Sequence, residues 1–113
     1  CLQHVHEGAF DFTRFTESGH RALFRQFELC RSGVIGGAGS QLLWSLEYFF
    51  RGLFRSKKIG QCVRLAFFWL NYFDRLIPDS HNVDSASGCY FLGKKNSDTK
   101  TPQELVEHYR GAQ

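Results

Sequence analysis

At 113 residues the chain has the length of one ordinary domain, and its 42% apolar and 22% charged content excludes a disordered tail. A net charge of +3, with no basic run denser than Arg55, Lys57 and Lys58, excludes the clustered footprint of a nucleic-acid binder. The four cysteines, at 1, 30, 62 and 89, form no C-x-x-C pair; this excludes a zinc knuckle or a dense disulfide framework and fits reduced thiols in a cytoplasmic protein.

No basic start followed by an apolar run marks a signal peptide. The chain begins with Cys and contains no Met, so it is expected to be processed or to be a piece of a longer protein. Residues 1–15 lack helical periodicity and contain Gly8, and are read as a strand stub and a loop. Thr16 can cap a helix over 17–27, with Glu17 at the end its dipole favours and Leu23, Phe24 and Phe27 as its apolar face. ELCRSGVI, 28–35, follows as a strand whose apolar positions alternate poorly.

GGAGS at 36–40 reads as a turn, with Ser40 placed to cap a helix over 41–55 whose apolar residues recur at 42/43, 46, 49/50 and 53/54. After Gly60 a second helix is predicted up to Pro78. Eleven of the fifteen residues from Val63 to Ile77 are apolar, yet Arg64, Asn71, Asp74 and Arg75 make the segment too charged and too short to span a bilayer. A polar loop, 79–86, leads to a strand, SGCYFLG at 87–93. Thr101, Pro102 and Glu104 then form a capping box for a last helix, with Leu105, Val106 and Tyr109 on its buried face and Gly111 at its end.

Several patterns invite chemistry. VIGGAGS keeps only Gly37 and Gly39 of a G-x-G-x-x-G loop, and a helix follows where a Rossmann unit needs a strand ending in an acid, so it reads as a plain turn. His4 and His6 would share one side of an extended segment, with Cys1 or Glu7 as a third metal ligand. No second cluster accompanies them, so no metal is expected, and a proton-handling or substrate-contacting histidine is the favoured reading. Arg14, between Phe12 and Phe15, is either a surface cation stacked on aromatics or a donor fork aimed at a substrate. Ser18, His20 and Asp11 lack the G-x-S-x-G elbow of a hydrolase triad. LLWSLEYFF and LAFFWLNYF are read first as helix–helix core, with a lid role favoured over a membrane-facing surface built on Trp44, Trp69 and the basic SKK.

LQHVHEGAFDFTRFTESGHRALFRQFE resembles the segment after the fifth strand of class I S-adenosylmethionine-dependent methyltransferases of the type 11-like group. That family often shows P-F-L-Q-P-V-H, then D-Y-x-R-F-T, then G-L-R-x-L-F and a strand opening on F-E. Leu2, Gln3, Val5 and His6 match the first part, and Asp11, Phe12, Arg14, Phe15 and Thr16 the turn. Gly19, Arg21, Leu23, Phe24, Phe27 and Glu28 match the rest, while His4 stands where the pattern has proline and Phe12 where it has tyrosine. SGCYFLGKK is similar to the family's last strand, Y-F-x-G-x-K.

The resemblance implies an α/β fold, the C-terminal part of a Rossmann-like methyltransferase sheet. Its order would be the end of the fifth strand, a helix, the sixth strand, a two-helix insertion, the last strand and a C-terminal helix. Residues 1–113 would form that part, with 40–78 as a helical insertion serving as lid or core. It further implies S-adenosylmethionine as cofactor, held by residues outside these 113, and a small or apolar methyl acceptor. His6 would be the catalytic base, and His4, Glu7, Arg14 and Phe15 would contact the acceptor, because ligands of such sheets sit beyond the strand ends. The alternative is a non-enzymatic helical module that binds a protein or a membrane surface through its aromatic helices.

Overall fold

The structure, a computed structural model, describes residues 4, 8–11 and 13–112. Most of the expected N-terminal strand stub, with His6 and Glu7, lies outside the described residues; Gly8–Phe10 forms a 3-10 turn. The architecture is mixed α/β, with helices packed around and beside a two-stranded antiparallel sheet of β1, Phe27–Ile35, and β2, Gly88–Lys95. Between Leu29 and Arg31 the register slips, leaving Cys30 as the extra residue of a bulge. That bulge is why the apolar positions of ELCRSGVI alternate poorly.

Helix α1, Glu17–Leu23, starts where Thr16 accepts the Gly19 amide at 3.1 Å. It stops short of the predicted Phe27. Buried Arg21 donates to the carbonyls of Phe24 at 2.9 Å and Phe27 at 3.1 Å, drawing the chain out of the helix and into β1. Phe24, Phe27, His20 and Phe91 then pack as an aromatic cluster, with Phe24 and Phe91 stacked at 5.0 Å, so Phe27 serves the sheet and not the helix.

Gly36 leaves β1 at φ 66°, and its carbonyl accepts from Ser87 at 3.0 Å, which closes the base of the long excursion between the strands. Helix α2, Ala38–Leu53, begins before the predicted 41, with Gly37 at its N-cap in place of Ser40. Helix α3, Lys57–Ala66, and a 3-10 helix, Phe68–Arg75, replace the single helix predicted up to Pro78. The break at Phe67 lets Leu70 and Asp74 reach α2: a Cβ on Gly39 would lie 2.2 Å from the Leu70 carbonyl oxygen. Helix α4, Asp79–Ser85, stands where a loop was predicted. It has almost no apolar period, and buried Asn82 fastens it through bonds to the Ala38 amide and to the carbonyls of Asp74 and Ile77.

The capping box at Thr101 and Glu104 opens α5, Pro102–Glu107, which ends before the predicted Gly111. Its expected buried face is corrected: Val106 and Tyr109 are exposed, and the tail docks through His108 instead. The aromatic helices are corrected too. Among the described residues the buried hydrophobic side chains are Leu43 and Leu70, while Phe49, Leu53, Phe54, Phe68, Trp69, Tyr72 and Leu76 are exposed. Among the described residues no helix is long and apolar enough to cross a membrane.

Candidate functional site

Of the residues expected at the acceptor side, the structure describes His4, Arg14 and Phe15; His6 and Glu7 lie outside the described residues. Arg14 ties the loop together. Its Nη2 donates to the His4 carbonyl at 2.8 Å, and its Nε donates to Asp11 at 3.2 Å within an ion pair. The hydrogen bond that it donates to Asp11, opposed by burial and helped by the Asp11 charge, raises the guanidinium above its already high pKa, so Arg14 is a permanent cation.

The His4 ring stacks on Tyr48 of α2, with centroids 4.1 Å apart and planes 5° from parallel. Arg51 lies over Tyr48, 5.3 Å from its centroid. The His4 Nε2 is buried and has no hydrogen-bond partner among the described residues. Thus the structure brings Arg14 and His4 together, with Arg14 gripping the backbone of His4 and not its ring. Phe15 stands exposed beside the first turn of α1. Tyr48, which holds the histidine, was read only as part of an aromatic stripe; no local spacing links it to His4.

A second constellation went unread in the sequence. Glu17, assigned there to the helix dipole, is buried at 8% exposure. His108 lies 2.9 Å from its Oε1, and Ser32 reaches the same oxygen at 3.5 Å, while Oε2 has no partner among the described residues. Glu17 and Ser32 line a cavity of about 290 Å³ that also takes in Asp79, Tyr90 and Arg110. Of the predicted site residues that the structure describes, His4, Arg14 and Phe15, none lines it. Its opposed charges suit a small polar molecule, but the His108 contact spans the whole chain, so no motif could announce it.

The glycine-rich turn has its own occupant. Asp74 accepts from the amides of Gly37 at 3.0 Å, Gly39 at 2.7 Å and Ser40 at 3.3 Å, and from the Ser40 hydroxyl. Desolvation pushes the Asp74 carboxyl up, but the Ser40 hydroxyl and these amides together hold it below the usual aspartate range. A carboxylate thus occupies the helix N-terminus where a phosphate would bind. The turn is therefore no cradle for a dinucleotide or for the anionic end of another cofactor.

Among the described residues no group of three His, Cys, Asp or Glu side chains stands together as a metal site. Cys30, Cys62 and Cys89 are free, and burial raises the Cys89 thiol, which makes it a poor nucleophile. No protein-family model, curated protein or solved structure matches the chain.

Proposed function

We propose that the chain forms the acceptor-side, C-terminal part of a class I S-adenosylmethionine-dependent methyltransferase with a Rossmann-like sheet. The observation that carries this reading is the D-F-T-R-F-T turn. Asp11, Arg14 and Thr16, three of the residues that match the family pattern there, are bonded: Arg14 joins Asp11 to the His4 backbone, and Thr16 caps α1. Arg21, also in the pattern, links α1 to the sheet. The antiparallel β1–β2 pair is compatible with a larger sheet, since either strand can accept a neighbour on its outer edge.

In this reading the glycine-rich turn, whose amides Asp74 already holds, takes no cofactor, and this part of the chain serves acceptor binding. S-adenosylmethionine would supply an electrophilic methyl group. In this reading His6 takes the proton of the acceptor, Glu7 and Phe15 border it, and Arg14 keeps the loop in place through the His4 carbonyl. The helices at 38–75, between the two strands, form the roof of the acceptor pocket.

The test is methyl transfer by the complete gene product, with methyl-labelled S-adenosylmethionine and fractionated small molecules and lipids as acceptors. Label should enter one fraction, and H6A should lower turnover by about a hundredfold or more, the range of a lost general base. Unchanged turnover in H6A removes His6 from the site. Failure to bind S-adenosylmethionine at all removes the methyltransferase reading.

A further inference from the structure

We propose that the turn between α2 and α3 docks on an anionic membrane surface. This inference is independent of the methyltransferase reading and would hold for a binding module equally well.

The charge of the molecule is concentrated there. Residues 38–77 hold six basic side chains, at 51, 55, 57, 58, 64 and 75, and two acidic ones, Glu47 and Asp74, for a net +4. The rest of the chain holds eight basic and nine acidic residues, a net −1, which together with +4 gives the total of +3. Neither acid of the segment opposes the tip: Glu47 lies 3.9 Å from Arg64, and Asp74 is bound to the start of α2.

Apolar surface accompanies that charge. Leu42, Phe49 and Leu53 recur at intervals of seven and four residues on α2, which places them on one stripe, and all three are at least half exposed. Exposed Phe54 extends the stripe into the turn, stacked on Phe50 at 6.3 Å. With no helix among the described residues able to span a bilayer, such a surface would lie on the membrane and not cross it.

The turn also offers a seat for a headgroup. Arg51, Arg55 and Lys57, with Tyr48, line a concavity of about 420 Å³. Arg55 is held there at φ 49°, in a left-handed conformation that glycine adopts more easily. Its amide donates to the Gly52 carbonyl at 3.3 Å and the Ser56 amide to that of Arg51 at 3.1 Å, the pattern that ends a helix through a left-handed residue. A cation thus stands where backbone geometry alone favours glycine, as expected of a position that serves binding.

The experiment is co-sedimentation of the full chain with vesicles of phosphatidylcholine containing about one third phosphatidylserine, against vesicles of phosphatidylcholine alone. Binding should be confined to the anionic vesicles. It should fall by about tenfold or more in K57E/K58E, which reverses two charges near the surface, with an unchanged circular dichroism spectrum. R55G should weaken binding while the protein becomes no less stable, a separation that a purely structural role for Arg55 does not allow. Equal binding to both vesicle types, or to neither, overturns the proposal. So does a concentration-dependent dimer that L53S dissolves without vesicle binding, since the face then belongs to a second copy.

Discussion

Asp74 performs at long range what Ser40 was expected to perform locally. The Ser40 hydroxyl does not cap its own helix; it donates to Asp74, whose carboxylate also gathers three amides at the start of α2. Asn keeps one acceptor at that position but turns an amino group toward backbone donors, so D74N should cost about 2 kcal/mol at neutral pH, measured by urea unfolding. The sign with pH is fixed. The folded carboxyl sits below its unfolded value, so its contribution is full above about pH 4 and is lost as the pH falls through the folded value. The difference between wild type and D74N should therefore shrink on acidification, and a constant difference would show that the charge is not what matters. Arg21 is the other structural ion. R21K keeps a charge but not the fork that reaches both Phe24 and Phe27, and should cost about 1–2 kcal/mol in the same assay. The Thr101–Glu104 box was legible because all of its partners lie within one turn. Asp74 was not, because the amides it serves lie more than thirty residues upstream.

Among the elements, the strands and α2 were readable to within a few residues, since their signals are local patterns of β-formers and of helical spacing. The division of the next segment was not. Its apolar residues suggested one continuous helix up to Pro78 in a helix–helix core, whereas the chain breaks at Phe67 so that Leu70 and Asp74 can meet Gly39. That contact yields a sharp expectation. A methyl group on Gly39 would collide with the Leu70 carbonyl, a backbone atom that cannot swing aside, so G39A should lose about 1–3 kcal/mol although alanine is the better helix former. An unchanged melting temperature would mean that the two helices are not in tight contact. The opposite sign is expected at the other end of α2. R55G relieves the left-handed strain at some cost in unfolded-state entropy, and should be neutral or stabilise by up to about 1 kcal/mol. Helix α4 escaped notice because its hold on the fold is the polar side chain of Asn82, which leaves no apolar periodicity in the sequence.

At the scale of the whole molecule, the chain is looser than its length requires. Its radius of gyration is 16.6 Å, where about 13 Å is usual for this number of residues. It exposes 8342 Å², against about 6,300 Å² for a folded monomer of its mass. The excess, about 2,000 Å², is the scale of a large permanent interface on one partner. The exposed apolar side chains of α2 and of the turn after it account for part of it, and the sheet accounts for another part. Two antiparallel strands alone are marginal in water, since three or more strands or packing against a helix are ordinarily needed. Helix α1 packs on β2 and α4 on β1, but both outer edges still present alternate amides that a neighbouring strand could satisfy. Were the pair the border of a wider methyltransferase sheet, those amides would be bonded in the complete gene product and open in the 113-residue chain. Amide hydrogen exchange distinguishes the two situations. Peptides covering 27–35 and 88–95 should exchange within minutes in the isolated chain and be protected at least tenfold, about 1.4 kcal/mol, in the complete protein. Equal and strong protection in both would mean that the two strands are sufficient by themselves, and the wider sheet would lose its physical motive.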